Sequence, residues 1–168
     1  WLNVGTRPDV AALHSRVSSR YTQWDWASDY LVYRGYQYIK QTRFLGLLVT
    51  GDPRDIPFLV SRLCTDSDHA NDVVDARSTA GAWSRVDGPF GTSIPWRWLA
   101  RKEEKTSRNT TEAETGALNT GVFELSMPLA GILEDLLRRP VRRIVEEDNE
   151  ASVAQVAKGY SKKLAYLE

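Results

Sequence analysis

The sequence predicts an all-α fold, an irregular bundle of about six helices or a short helical-hairpin array with long loops. Three observations predict it. Apolar residues recur at spacings of three and four over residues 23–49, 122–139 and the C-terminal twenty or so. A Gly-Asp-Pro turn at Gly51, Asp52 and Pro53 sits between two such stretches. No segment shows the strict apolar–polar alternation of a half-buried strand.

The elements follow in chain order. Residues 1–8 read as an extended start. A short helix over residues 9–18 has Asp9 as its cap and Val10, Leu13 and Val17 on one face. The long helix over residues 23–49 carries Ala27, Leu31, Gly35, Tyr38, Thr42, Leu45 and Val49 as its stripe, with a possible kink at Gly35. Gly51 ends that helix, Asp52 caps the next, and Pro53 occupies its first position. Ile56, Leu59, Val60 and Leu63 then fall at helical spacing. Residues 65–71 read as an acidic loop, and a third helix over residues 72–84 presents Val73, Ala76, Ala80 and Trp83. Gly88, Pro89, Gly91 and Pro95 mark residues 85–100 as a loop. Residues 101–120 are polar and read as a flexible excursion. A helix over residues 122–139 has Leu129, Ile132, Leu133, Leu136 and Leu137 as its stripe and stops at Pro140. A short helical turn over residues 141–147 precedes a last helix, capped by Asp148 or Asn149, whose face is Val153, Val156, Ala157, Tyr160, Leu164 and Leu167. The chain thus divides into N-terminal helical hairpins (1–84), a Gly/Pro-rich loop with its polar excursion (85–121) and C-terminal helices (122–168), together forming one domain.

Composition narrows the function classes. A hydrophobic fraction of 42% supports a packed core without staples. The formal charge of zero gives no general attraction to nucleic acid or anionic lipid. Cys64 is the single cysteine, so no internal disulfide forms, and it reads as a small buried hydrophobe. The longest apolar run, residues 44–49, is far shorter than the ~20 residues of a membrane span. The chain begins at Trp1, which reads either as a removed leader, pointing to an organelle such as the mitochondrion, or as a trimmed fragment.

The unit from Leu47 to Trp83 resembles a HEAT-like helical repeat. The matching residues are Gly51, Asp52 and Pro53, then Ile56, Pro57, Leu59, Val60 and Leu63, the acidic Asp66 and Asp68, and Arg77 with Ala80. The resemblance implies a stacked antiparallel helix pair that offers a binding surface.

Candidate sites are few. Asp66, Asp68, Asp72 and Asp75 surround His69, but a calcium loop would need a central Gly and a terminal Glu, so these acids read as a solvated cap on a helix. His14 and His69 lack an activated Ser, and there is no phosphate-cradling Gly-rich motif or CxxC pair. The expected catalytic, metal and cofactor sets are therefore empty. Arg138, Arg139, Arg142 and Arg143 form the sharpest charge feature, suited to a partner's carboxylates or to phosphates. Trp24 with Trp26, and Trp96 with Trp98 about Arg97, are spaced so that both rings of each pair face one way in an extended chain, as in an interface anchor. The expected role is a non-catalytic accessory or structural subunit of a larger multiprotein assembly, such as a mitochondrial respiratory or ATP synthase complex, bound to other protein subunits. The alternatives are an RNA- or phosphate-binding module, for example ribosome-associated, working through the Arg138 to Arg143 run, and an enzyme of unrecognised type.

Overall fold

The computed structural model describes residues 5–69, 76–104 and 106–158. It is mixed α/β, with five α-helices and a four-stranded mixed sheet among the described residues, which corrects the all-α and helical-hairpin expectation. The helices are α1 (Ala11–Ser18), α2 (Trp26–Gln41), α3 (Thr110–Gly121), α4 (Met127–Leu137) and α5 (Glu150–Lys158). The strands are β1 (Val60–Asp68), β2 (Thr79–Asp87), β3 (Ser93–Lys102) and β4 (Arg143–Glu146).

β1, β2 and β3 form an antiparallel meander. β4 then joins the free side of β1 in parallel, giving the order β3-β2-β1-β4. A parallel return needs a crossover, and α3 and α4 supply it. They are joined through a π-helical segment, Val122–Ser126, and α3 packs on β1 and β2.

The strands escape a hydrophobicity reading because their inward residues are small. β1 turns Ser61, Leu63 and Thr65 inward, and β2 turns Ala80, Ala82, Ser84 and Val86 inward, while Trp83 and Arg85 point the other way. The helix answers with Ala113, Ala117 and Gly121, so helix and sheet approach closely. A methyl group on Gly121 would lie 2.7 Å from Thr65 Cγ2. Leu63, Ala82 and Leu125 form one core cluster, and Val86, Leu129, Leu133 and Val141 form another.

Six other segments depart from expectation. Residues 53–58 are a 3-10 helix, with Asp52 capping through the Arg54 amide and Pro53 at its start, and the chain enters β1 before Leu63. Residues 85–100 hold the end of β2, a turn at Gly88 to Thr92, and most of β3. The polar stretch 101–120 contains α3, capped by Asn109 on the Glu112 amide. Residues 141–147 contain β4 instead of a helical turn. The long helix is shorter than its stripe, and Gly35 is a contact point, since a methyl there would collide with Leu13 of α1. The helix expected over 72–84 is in part β2, and its start, with Asp72, Val73 and Asp75, lies outside the described residues. So do Tyr160, Leu164 and Leu167 of the last helix. Asn149 caps the part that is described, accepting from the Ser152 amide.

The α1–α2 pair is pinned by Arg7, which is buried. Its guanidinium donates to Asp9 and to both the carbonyl and the hydroxyl of Thr42, and Tyr38 donates to the same Asp9. A second buried anchor is Asp55, which accepts from the amides of Phe90 and Thr92 and fixes the β2–β3 turn. Burial opposes ionisation of Asp55, but the hydrogen bonds from Thr92 and Phe90 outweigh it and hold its pKa below the usual carboxylate value.

Candidate metal centre

The register of β1 against β4 places two acids side by side. Cys64 pairs with Glu146, so the residues two further along each chain, Asp66 and Asp148, leave the strand pair together. Thr65 ties this exit down by donating to Glu147 at 2.7 Å. Glu114 arrives from the crossover helix. It lies on the buried stripe of α3, beside Ala113 and one turn before Leu118. One carboxylate oxygen from each of Asp66, Glu114 and Asp148 lies within 4.8 Å of the other two.

Glu114 carries the chemistry of the cluster. The residue is only 5% exposed, and its Oε2 has no hydrogen-bond partner. The Ser67 amide serves the carboxylate from one side. Burial, then the negative charges of Glu147, Asp66 and Asp148, push its pKa up to about 7. No Lys, Arg or His among the described residues makes an ion pair with any of the three acids. Other buried charges are matched. Asp55 has its two amides, and Arg7 has Asp9. An unpaired buried carboxylate facing two more carboxylates is a costly arrangement unless a cation completes it. Three hard oxygen ligands without sulfur or imidazole suit Mg²⁺, Mn²⁺ or Ca²⁺.

A cleft of about 780 Å³ opens at Asp66. One wall is the sheet, through Asp66, Asp68, Thr79 and Gly81. The other is the helical pair, through Leu13, Arg16, Arg20 and Leu31.

The residues singled out in the sequence lie elsewhere. Trp24 is exposed and donates to Asp29, and Trp26 is exposed at the start of α2. Trp96 and Trp98 do not share a direction. An irregularity in the β2–β3 register leaves Trp96 without a partner and breaks the alternation there. Trp96 packs against both core clusters, Trp98 stacks on Trp83 with ring centroids 5.4 Å apart, and Arg97 is exposed between them. The arginine run sits at the opposite end of β4 from the carboxylates. Arg139 donates to the carbonyls of Ile56 and Leu59, Arg138 caps α4 in a left-handed conformation, and Arg142 and Arg143 are exposed.

The sequence presents Asp66 as part of an acidic loop and of the HEAT-like unit, whereas it belongs to β1. Glu114 and Asp148 were not singled out as ligands. The one signal in the sequence for Glu114 is an acid set among small residues at helical spacing, Ala113, Ala117 and Gly121. Compared with protein-family models, curated proteins and solved structures, the chain gives no match.

Proposed function

We propose that the chain is a metal-dependent phosphodiesterase acting on nucleic acid, with Asp66, Glu114 and Asp148 as ligands for Mg²⁺ or Mn²⁺. The observation that carries this reading is the buried Glu114 carboxylate, one oxygen of which has no hydrogen-bond partner, clustered with two other carboxylates. Oxygen-only sites of this kind hold such ions through a few carboxylates and leave coordination positions for water and for substrate phosphate. An ion held by Asp66, Glu114 and Asp148 would activate water for attack on phosphorus and offset charge on the phosphoryl oxygens.

The protein's own part is positional. β1 and the residues after β4 fix Asp66 and Asp148, and α3 fixes Glu114, all on regular elements or their immediate ends. The cleft beginning at Asp66 is open and two-walled, so it suits a long polyanion passing through better than an enclosed small molecule, and Arg16 and Arg20 face it. An antiparallel meander followed by a crossover helix and a fourth strand parallel to the first gathers acids from the first strand, the helix and the fourth strand's exit at one place.

The test is cleavage of end-labelled single-stranded RNA, duplex DNA and an RNA–DNA duplex in Mg²⁺, Mn²⁺ or EDTA. Cleavage that needs the ion and is lost in Asp66→Asn and Asp148→Asn supports the reading. Absence of cleavage on all three substrates, together with no thermal shift on adding Mn²⁺, overturns it.

A further inference from the structure

Charge is unevenly distributed along this neutral chain. Residues 5–50 hold six Arg and Lys against three Asp, so the remainder is correspondingly acidic. That positive segment is the α1–α2 pair, which forms the outer wall of the cleft. Arg16 and Arg20 line the wall, and neither guanidinium makes a hydrogen bond or salt bridge with another described residue. A second hollow, of about 500 Å³, lies beyond them. It is lined by Arg16, Arg20, Trp26, Tyr30 and Leu31, so the two spaces meet across the arginines. Trp26 and Tyr30 are one helical turn apart on α2 and are 79% and 52% exposed.

We propose that a single-stranded stretch of nucleic acid runs from the carboxylate site along this cleft, with its phosphates on Arg16 and Arg20 and its bases stacked on Trp26 and Tyr30. The proposal rests on the phosphodiesterase reading and extends it to the substrate's path. Guanidinium groups form paired contacts to phosphate, and exposed aromatic faces are platforms for unpaired bases. A duplex does not fit this description, because its base faces are already covered by their neighbours. A protein partner would also use Trp and Arg. The net positive charge of the segment in a neutral chain favours a polyanion.

The experiment is fluorescence anisotropy of the full chain with a short labelled single strand in EDTA, across a salt series. Arg16→Glu with Arg20→Glu is expected to weaken binding tenfold or more. It should also flatten the slope of log affinity against log salt by roughly 1.4, two phosphate contacts' worth. Trp26→Ala with Tyr30→Ala is expected to weaken binding about thirtyfold or more while leaving that slope in place. All four side chains reach solvent, and thermal melts of both variants check that the fold is retained. Unchanged affinity in both double variants overturns the proposal. So does a Trp26 and Tyr30 variant that loses self-association on sizing while binding the strand normally, because the rings then serve a protein contact. The two readings fail separately. A chain that binds the strand through these residues but neither takes up Mn²⁺ nor cleaves defeats the phosphodiesterase reading. One that cleaves with the same KM after Arg16→Glu and Arg20→Glu defeats only the path.

Discussion

Gly121 of α3 rests against Thr65 of β1, with so little room that an added methyl group would sit 2.7 Å from Thr65 Cγ2. Thr65 immediately precedes Asp66, and Gly121 ends the helix that carries Glu114, so this contact sets how closely two of the three carboxylates approach. Gly121→Ala is expected to cost about 1–3 kcal/mol of stability through overpacking. It should also weaken Mn²⁺ binding, read by calorimetry. A variant with wild-type stability and wild-type Mn²⁺ affinity would show that the spacing is set elsewhere.

Glu114 gives the metal-free protein a characteristic pH dependence. Its folded pKa of about 7 stands above the ordinary 4.5, so between those values the folded chain binds a proton that the unfolded chain does not. Stability therefore rises as pH falls from about 7 toward 4.5, and the full penalty applies above 7. Thermal melts in EDTA should show a Tm that increases over this window. Glu114→Gln should raise the Tm at neutral pH, flatten the dependence and abolish the shift produced by Mn²⁺. A flat profile in the wild-type protein would contradict the buried, unpaired carboxylate.

Asp55 is a buried acid of the opposite kind, with both oxygens occupied. Asp55→Ala leaves the Phe90 and Thr92 amides without their acceptor and is expected to cost about 3 kcal/mol. Denaturant unfolding measures the loss. A change under about 0.5 kcal/mol, the size of an ordinary surface substitution, would mean that the β2–β3 turn holds itself.

Gly35 and Leu13 test the docking of α1 on α2. Alanine normally favours a helix over glycine by about 1 kcal/mol, yet Gly35→Ala should destabilise this pair because its methyl meets Leu13. Adding Leu13→Ala should recover part of the loss, giving a non-additive cycle. Additive effects would separate the two residues.

Cys64 donates to Glu146 at 3.1 Å, and burial together with that carboxylate pushes its pKa up to about 11. Because the thiolate is the nucleophile, alkylation of the folded protein at about pH 8 should be much slower than that of a free thiol. Glu146→Gln should speed it. Labelling as fast as in the unfolded chain would contradict the contact.

What the sequence made legible was governed by side-chain size. The α2, α4 and α5 segments announced themselves through large apolar residues at helical spacing, through the Pro140 stop and through the Asn149 cap. The sheet did not, because Ser61, Thr65, Ala80, Ala82 and Ser84 occupy its buried side while Trp83 lies on the other. Alternation was present, but between small and large residues instead of polar and apolar ones. Ile56, Leu59, Val60 and Leu63 matched a helix only because a 3-10 turn and a strand happen to share those intervals. The acidic centre was hidden for a different reason. Its members are far apart in the chain, and only the parallel pairing of β4 with β1 and the docking of α3 bring them together.

The π-helical turn at Val122–Ser126 has a consequence for phase. Buried positions recur at every fourth residue from Ala113 through Ala117, Gly121, Leu125 and Leu129 to Leu133. In an unbroken α-helix four residues overshoot a full turn by about 40°, so such a row would spiral off the sheet before reaching Leu133. The wider turn winds it part of the way back. This rod is therefore tuned by length as well as by composition, and excising one residue from the wide turn should rotate Leu129 and Leu133 outward more harmfully than replacing any side chain within it.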